Sequence, residues 1–413
     1  MKLITIILTS MTISCISSSA SVKNRSTLDD TGTTKEGVNA VVNANNQLAF
    51  ELYSRFNEES KDSNIFFSPY SISIALTMTY EGAKGQTAKE MQSVLHIPED
   101  ANVRRANVAR IYNKINKKDK KYKLSTANAL WAQKDYSFLK EYTDNVEKYY
   151  GGKVTNLDFI RESEKSRQII NKWVEDQTNN KIKDLIPQGV LNAYTRLVLT
   201  NAIYFKGTWV KQFDEKDTKE DDFRIDSSNT VKVPMMRLIG NDVKFNYAET
   251  DEIQILEMSY HGKDVSMLII LPKGNDLANI EKSITLEKLS EWKNMLNEQR
   301  VDIFIPKFKF ETKYFMAKAL SDMGMPTAFG STADFSGMDG TRDLFIQNVI
   351  HQAFVEVNEE GTEAAAATGV VMGLTSVGPR IPIFRADHPF IFIIQEIETG
   401  NILFLGRVSD PSK

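Results

Sequence analysis

The side chains best suited to chemistry are few in this chain and are poorly placed for it. His96, His261, His351 and His388 stand far apart, with no cysteine or carboxylate at ligand spacing, so each reads as structural and none begins a metal site. The only cysteine, Cys15, lies in an apolar N-terminal stretch. A chain cut beyond it has neither a disulfide nor a thiol nucleophile. Gly-x-Ser-x-Gly, His-Glu-x-x-His, Walker and Gly-x-Gly-x-x-Gly signatures are all absent, which argues against the common hydrolase and nucleotide chemistries. The unusual segment runs from Glu359 to Pro379. Its alanines favour a helix, yet Gly361, Gly369, Gly373 and Gly378 interrupt every attempt to propagate one. At strand period, Thr362, Ala364, Ala366, Thr368, Val370 and Met372 share one face, and Glu363, Ala365, Ala367, Gly369, Val371 and Gly373 share the other. Small side chains meet little steric resistance between parted strands, so the segment suits two states, an exposed loop and an inserted strand. A plain Gly/Ala surface loop is the alternative.

The elements on either side are strongly patterned. Leu48, Leu52 and Phe56 recur every fourth residue, and Val108, Ile111, Tyr112 and Ile115 also follow a helical stripe. Val301, Ile303 and Ile305 alternate as in a half-buried strand, and the parity flips to Phe308 and Phe310 after Pro306, which predicts a bulge or bend there. Phe390 to Ile394 and Ile402 to Leu405 are continuous apolar runs around Glu398-Thr-Gly400-Asn401, a hairpin buried on both faces, so the C-terminal stretch belongs to the core. With 41% hydrophobic and 25% charged residues and a formal charge of -3, the 413-residue chain is globular and has no global attraction to nucleic acid. Residues 1–20 read as a secretory signal peptide, with Ser18 and Ala20 before the cut and lipidation at Cys15 as the alternative. Residues 21–40 are polar and small and predict a flexible leader, and folded structure is expected from about Val41 to residue 413 as one large domain.

The hinge-like run Glu359-Glu-Gly361-Thr362-Glu-Ala-Ala-Ala-Ala367-Thr368 resembles the start of the reactive loop of inhibitory serpins, the serine protease inhibitor superfamily. The resemblance extends over residues 41–413 through Asn64-Ile-Phe-Phe-Ser68-Pro69-Tyr-Ser71, Gly82-Ala-Lys-Gly85-Gln-Thr87, Asn128-Ala-Leu-Trp131 and Leu199-Thr-Asn201-Ala-Ile-Tyr-Phe-Lys206-Gly-Thr-Trp209. Ala333-Asp-Phe335-Ser-Gly337-Met and Phe384-Arg-Ala-Asp387-His388-Pro389-Phe390 complete it. It implies an α+β serpin fold, a single large domain with three β-sheets, surrounding helices and an exposed reactive-centre loop at about residues 359–380.

It further implies a secreted, monomeric inhibitor without cofactor or metal. A serine protease would attack the loop, form a covalent acyl-enzyme and be trapped as the loop enters the central sheet. The residues matching the family's hinge are Glu359, Gly361, Thr362, Ala364, Ala366 and Thr368, with Thr362 as the first inward side chain. Ser68, Ser71, Asn201 and His351 match its shutter, and Trp209, Lys307 and Glu359 match the breach where insertion begins. Family spacing puts the attacked bond at Thr375-Ser376, with Leu374 and Arg380 as alternatives. Thr375 and Leu374 suit elastase-like, subtilisin-like or chymotrypsin-like targets, and Arg380 suits trypsin-like ones. A non-inhibitory serpin acting as a binding or chaperone-like protein is the competing reading. The basic run Arg110, Lys114, Lys117, Lys118, Lys120 and Lys121 suggests a sulfated polysaccharide partner, against the blander reading of a solvated turn.

Overall fold

The computed structural model describes residues 27–60, 62–117, 121–240, 243–274, 277–362 and 381–413. The Thr34 hydroxyl caps the first helix by accepting from the Gly37 N–H at 3.0 Å. Helix α1 (Lys35–Glu59) buries Leu48, Leu52 and Phe56, as their spacing predicts. Strand β1 (Ile65–Phe67) leads into α2 (Pro69–Tyr80), α3 (Gly85–Leu95) and α4 (Ala101–Ile115), where Val108, Ile111 and Ile115 are buried and Tyr112 is half-buried. Next come β2 (Tyr122–Gln133), α5 (Lys140–Tyr150), β3 (Lys153–Leu157), α6 (Phe159–Gln177) and β4 (Leu197–Thr208). A run of antiparallel strands follows: β5 (Lys219–Arg224), β6 (Thr230–Leu238), β7 (Lys244–Glu249), β8 (Ile253–Ser259) and β9 (Val265–Pro272). Two short helices, Leu277–Ser283 and Leu286–Met295, precede β10 (Asn297–Arg300), β11 (Asp302–Pro306) and β12 (Phe308–Phe315). The chain ends through β13 (Asn348–Asn358), β14 (Gly361–Thr362), β15 (Ile383–Arg385), β16 (Phe390–Glu396) and β17 (Ile402–Val408).

These strands form three sheets. The central one has the order β12-β13-β14-β4-β2-β3, the back one β1-β17-β16-β9-β8-β7-β10, and the small one β15-β11-β6-β5. Pro306 does more than bend a strand. It ends β11 in the small sheet, and the chain re-enters the central sheet as β12, which is why the apolar parity flips there. The C-terminal hairpin β16–β17 is fully buried, and the Phe66 ring of β1 stacks on Phe392 at 5.6 Å and Phe404 at 5.2 Å. On the other face of the central sheet, α6 packs through Phe159, Ile170 and Val174 against Ala127, Ala129, Trp131 and Ala202.

Order begins earlier than the expected boundary near Val41. Within the supposed leader, Leu28 is buried and its backbone exchanges two hydrogen bonds of 2.8 Å with the Asn113 amide of α4. Asp29 pairs with Lys148 at 2.9 Å. Gly37 lies so close to α4 that a Cβ would meet Asn107 Nδ2 at 2.1 Å. Polar bonds to α4 and α5, together with the burial of the single leucine Leu28, fix this stretch, so composition alone misjudges residues 27–40.

Candidate functional site

The site is the seam between β13 and β4. These strands pair directly and in parallel from Asn348 opposite Val198 to Phe354 opposite Tyr204. Beyond Phe354 they part, and the two-residue strand β14 lies between them. Gly361 and Thr362 pair with Asn358 and Val357 on one side and with Thr208 and Gly207 on the other. Gly361 is required at this point: its φ is +152° and a Cβ would meet the Gly207 carbonyl oxygen at 2.1 Å.

Four residues expected to act together do meet at the closed part of the seam. The Ser68 N–H donates to His351 Nε2 at 3.1 Å, so the ring proton sits on Nδ1, which donates to Asn201 Oδ1. The Ser68 hydroxyl donates to the Leu403 carbonyl at 2.6 Å and accepts from the Ser71 N–H at 3.1 Å. Asn201 Nδ2 donates to Ser71 Oγ and to Asn128 Oδ1, both at 2.6 Å, and Ser71 Oγ donates to Asn128 Oδ1 at 3.1 Å. His351 is completely buried, and burial pushes its pKa down to about 3 against the smaller opposing effect of the bond to Asn201. The imidazole is therefore neutral, and the cluster carries no net charge. Asn128 belongs to this cluster although sequence reasoning used it only as part of a motif. The available signal was an amide in the middle of an otherwise apolar strand run, Ala127-Asn128-Ala129-Leu130-Trp131.

The open end is built differently. Trp209, Lys307 and Glu359 converge there as expected. Lys307 Nζ lies 2.8 Å from Glu359 Oε2, and the Thr218 hydroxyl donates to Glu359 Oε1 at 2.7 Å. The Glu359 side chain is only 4% exposed against 38% for Lys307, so the pair is half-buried, with its carboxylate inside and its ammonium at the surface. Burial alone would push the Glu359 carboxyl up, but the bonds from Lys307 and Thr218 outweigh it and hold the carboxyl below the usual carboxylate range. Trp209 donates through Nε1 to the Asn358 carbonyl at 3.1 Å and through its backbone N–H to the Glu360 carbonyl at 2.8 Å. Two participants escaped the sequence reading. Tyr260 stacks on Trp209 at 4.4 Å, with its hydroxyl 2.8 Å from Thr362 Oγ1. Glu360 is buried, and burial pushes its carboxyl up.

Ala364, Ala366, Thr368, Leu374, Thr375, Ser376 and Arg380 lie outside the described residues, as do Lys118 and Lys120. Within the described part of the run Lys114 is the residue that does not lie on an open face, and Arg110 is exposed but paired. Lys114 Nζ is held 3.0 Å from Glu396 Oε1 and 2.7 Å from Glu398 Oε2, and Arg110 pairs with Asp30 at 3.4 Å. Lys117 and Lys121 are exposed. Of the other histidines, His96 rests against Glu51 at 2.9 Å and His388 against Asp387 at 2.8 Å.

Comparison with known proteins agrees with this geometry. Residues 43–411 match the family model described as serpin (serine protease inhibitor). The chain is 42% identical to an uncharacterized serpin-like protein of Methanosarcina mazei, covering 96% of this chain and 94% of that protein. It is 43% identical to leukocyte elastase inhibitor A of Mus musculus, covering 89% and 98%. Among solved structures, human thyroxine-binding globulin in complex with thyroxine superposes with a TM-score of 0.83 at 33% identity, covering 91% of this chain and all of that one.

Proposed function

The chain belongs to the serpin family, and on that premise we propose that it inhibits serine proteases by acting as a substrate that is never released. The observation that carries this reading is β14, two residues of the reactive loop already lodged between strands that are closed everywhere below them. In the proposed reaction the protease serine oxygen attacks the carbonyl of Thr375, or of Leu374 or Arg380 in the alternative registers. The peptide bond to the next residue breaks, the new amine takes the proton, and an acyl ester joins the two proteins. The freed N-terminal arm of the loop then extends β14 down the seam, antiparallel to β13 and β4, and carries the ester-linked protease with it. The inhibitor turns over nothing.

Each residue group has a part in that motion. Glu359, Gly361 and Thr362, followed by Ala364, Ala366 and Thr368, form the hinge that leads the way in. Trp209 and the Lys307–Glu359 pair hold the breach. Ser68, Ser71, Asn201 and His351, with Asn128, form the shutter that must exchange partners. Thr375 and Leu374 point to elastase-like, subtilisin-like or chymotrypsin-like targets, in keeping with the name of the mouse relative. Incubation with a panel of such enzymes followed by denaturing electrophoresis tests the reading. A covalent band with one of them supports it, and clean loop cleavage without a band across the panel refutes it in favour of a serpin that binds rather than inhibits, the reading favoured by the likeness to thyroxine-binding globulin.

The proposal includes secretion, carried by the leader at residues 1–20. Mass analysis of the exported protein should find Ser21 at its N-terminus, and a lipid on Cys15 would replace secretion with anchoring. A sulfated polysaccharide partner has Arg110, Lys117 and Lys121 as the described exposed cations of the run, with Arg110 already paired to Asp30. If glutamine at Lys117, Lys118, Lys120 and Lys121 leaves the elution salt on a heparin column unchanged, that partner is removed.

A further inference from the structure

Tyr260 follows the last residue of β8 and belongs to the back sheet, yet its hydroxyl reaches into the central one. Its position is fixed on all sides. Its backbone N–H donates to the Val265 carbonyl at 2.9 Å and its strand bridges Trp209. Its ring lies nearly parallel to Trp209, 17° between planes, and receives Phe205 edge-on at 5.0 Å. Gly207 of β4 leaves room for the ring, because a Cβ there would meet Tyr260 Cδ1 at 2.7 Å. Tyr260 is 0% exposed and Thr362 only 1%, so the 2.8 Å contact between their hydroxyls is made out of reach of water. Burial also pushes the phenol well above its ordinary pKa, so it keeps its proton throughout the working pH range and one of the two hydroxyls can always donate to the other.

We infer that Tyr260 is the positioning residue for insertion, a fixed peg that holds the first inward side chain of the loop in register between β13 and β4. The consequence for inhibition rests on the reading given above, but the contact itself does not. A hydroxyl at residue 362 is then a requirement and not an accident of side-chain size, because either hydroxyl without the other is a buried polar group with no partner among the described residues. After acylation, the ester either is carried off by insertion or is hydrolysed by water to a free serine and a cut loop. A loop whose leading residue is already seated starts insertion sooner, so Tyr260 biases that partition toward trapping.

Tyr260→Phe, Thr362→Val, Thr362→Ser and the double variant Tyr260→Phe with Thr362→Val test this with two readouts. The first is hydrogen exchange of the Gly361 and Thr362 amides in the intact protein. Either apolar single variant should exchange roughly tenfold faster, the effect of one buried hydrogen bond. The double variant should be no faster than the singles, and Thr362→Ser should rescue the protection that Thr362→Val loses. The second is the number of inhibitor molecules consumed per protease trapped, which should rise severalfold in both apolar singles while the rate of loop cleavage stays put. A general loss of packing would not reproduce the rescue by serine. Unchanged exchange in Tyr260→Phe, additive effects in the double variant, or an unchanged partition overturns the inference. If the parent traps no protease, the inhibitory reading fails on that observation alone, and the exchange experiment still judges the peg.

Discussion

The two ends of one seam are held by opposite means. At His351 and Asn201 the strands touch directly, and the groups around them are neutral and satisfied by short hydrogen bonds to one another. At Gly361 and Thr362 the same strands are already parted, and what holds them is a half-buried ion pair, a pair of hydroxyls and a stack of two rings. Neutral networks of this kind lose much when one partner is displaced, because every remaining member is left buried and unpaired. The ion pair and the stack at the open end sit beside Gly361 and Thr362, and the insertion proposed above would leave them unbroken. On that proposal the cost of opening falls on the middle of the sheet, where the strands are still paired directly.

The sharpest way to break this comparison is to cut the loop between residues 363 and 380. If the closed half of the seam is a barrier to a more stable sheet in which β14 runs the full length between β13 and β4, calorimetry should show the melting temperature of the cut protein rising by more than about ten degrees. An unchanged melting temperature would mean that the closed seam is simply the stable state. Next in size is Thr362→Arg, which asks the open end to bury a charge where 1% exposure leaves it no water. The loop should still be cut, but the trapped fraction should fall by about a hundredfold. Equal trapping would show that the two ends are not joined by one insertion path.

The neutrality of the closed end is tested by pH. The folded-state pKa of His351 lies near 3, below the roughly 6.5 of an unfolded histidine, so the unfolded chain takes up a proton first. Its contribution is complete above pH 6.5 and is lost as pH falls toward 3, which amounts to about 2 kcal/mol of unfolding free energy between pH 7 and pH 5. Denaturant titrations should show this slope diminished by that amount in His351→Gln. An identical slope would place the proton elsewhere. Smallest is Lys307→Met. Because Lys307 is more than a third exposed, its loss should cost only about 1 kcal/mol and should loosen the hinge rather than the shutter. A larger loss of global stability would show the open end carrying more of the sheet than its geometry suggests.

What could be read in the residues alone was local. The C-terminal hairpin shows because two apolar runs flank Gly400, whose φ of +71° suits the turn. The helical faces of α1 and α4 show through spacing. The shutter residues became legible only through a family likeness, since Ser68 and His351 are separated by 283 positions and no pattern of period two or 3.6 links them. Tyr260, 102 residues from Thr362, gave no signal of any kind. The misreadings have the same origin. Lys114 looks free on its own helix because its partners, Glu396 and Glu398, come from the other end of the chain, and residues 27–40 look unstructured because their bonds go to α4 and α5. Polar pairing over long sequence distance is what one-dimensional patterns do not record.

The strand β17 lies between β1 and β16 in the back sheet, and its Leu403 carbonyl accepts from the Ser68 hydroxyl. During translation, residues 65–67 leave the ribosome hundreds of codons before residues 402–408, and until then Ile65–Phe67 have no neighbour across from Leu405–Arg407. A nascent chain halted before Leu403 lacks the acceptor of the Ser68 hydroxyl. The contact that ties the closed end of the seam to the back sheet is thus made only at the end of synthesis, once residues 402–408 exist to receive β1 and the Ser68 hydroxyl.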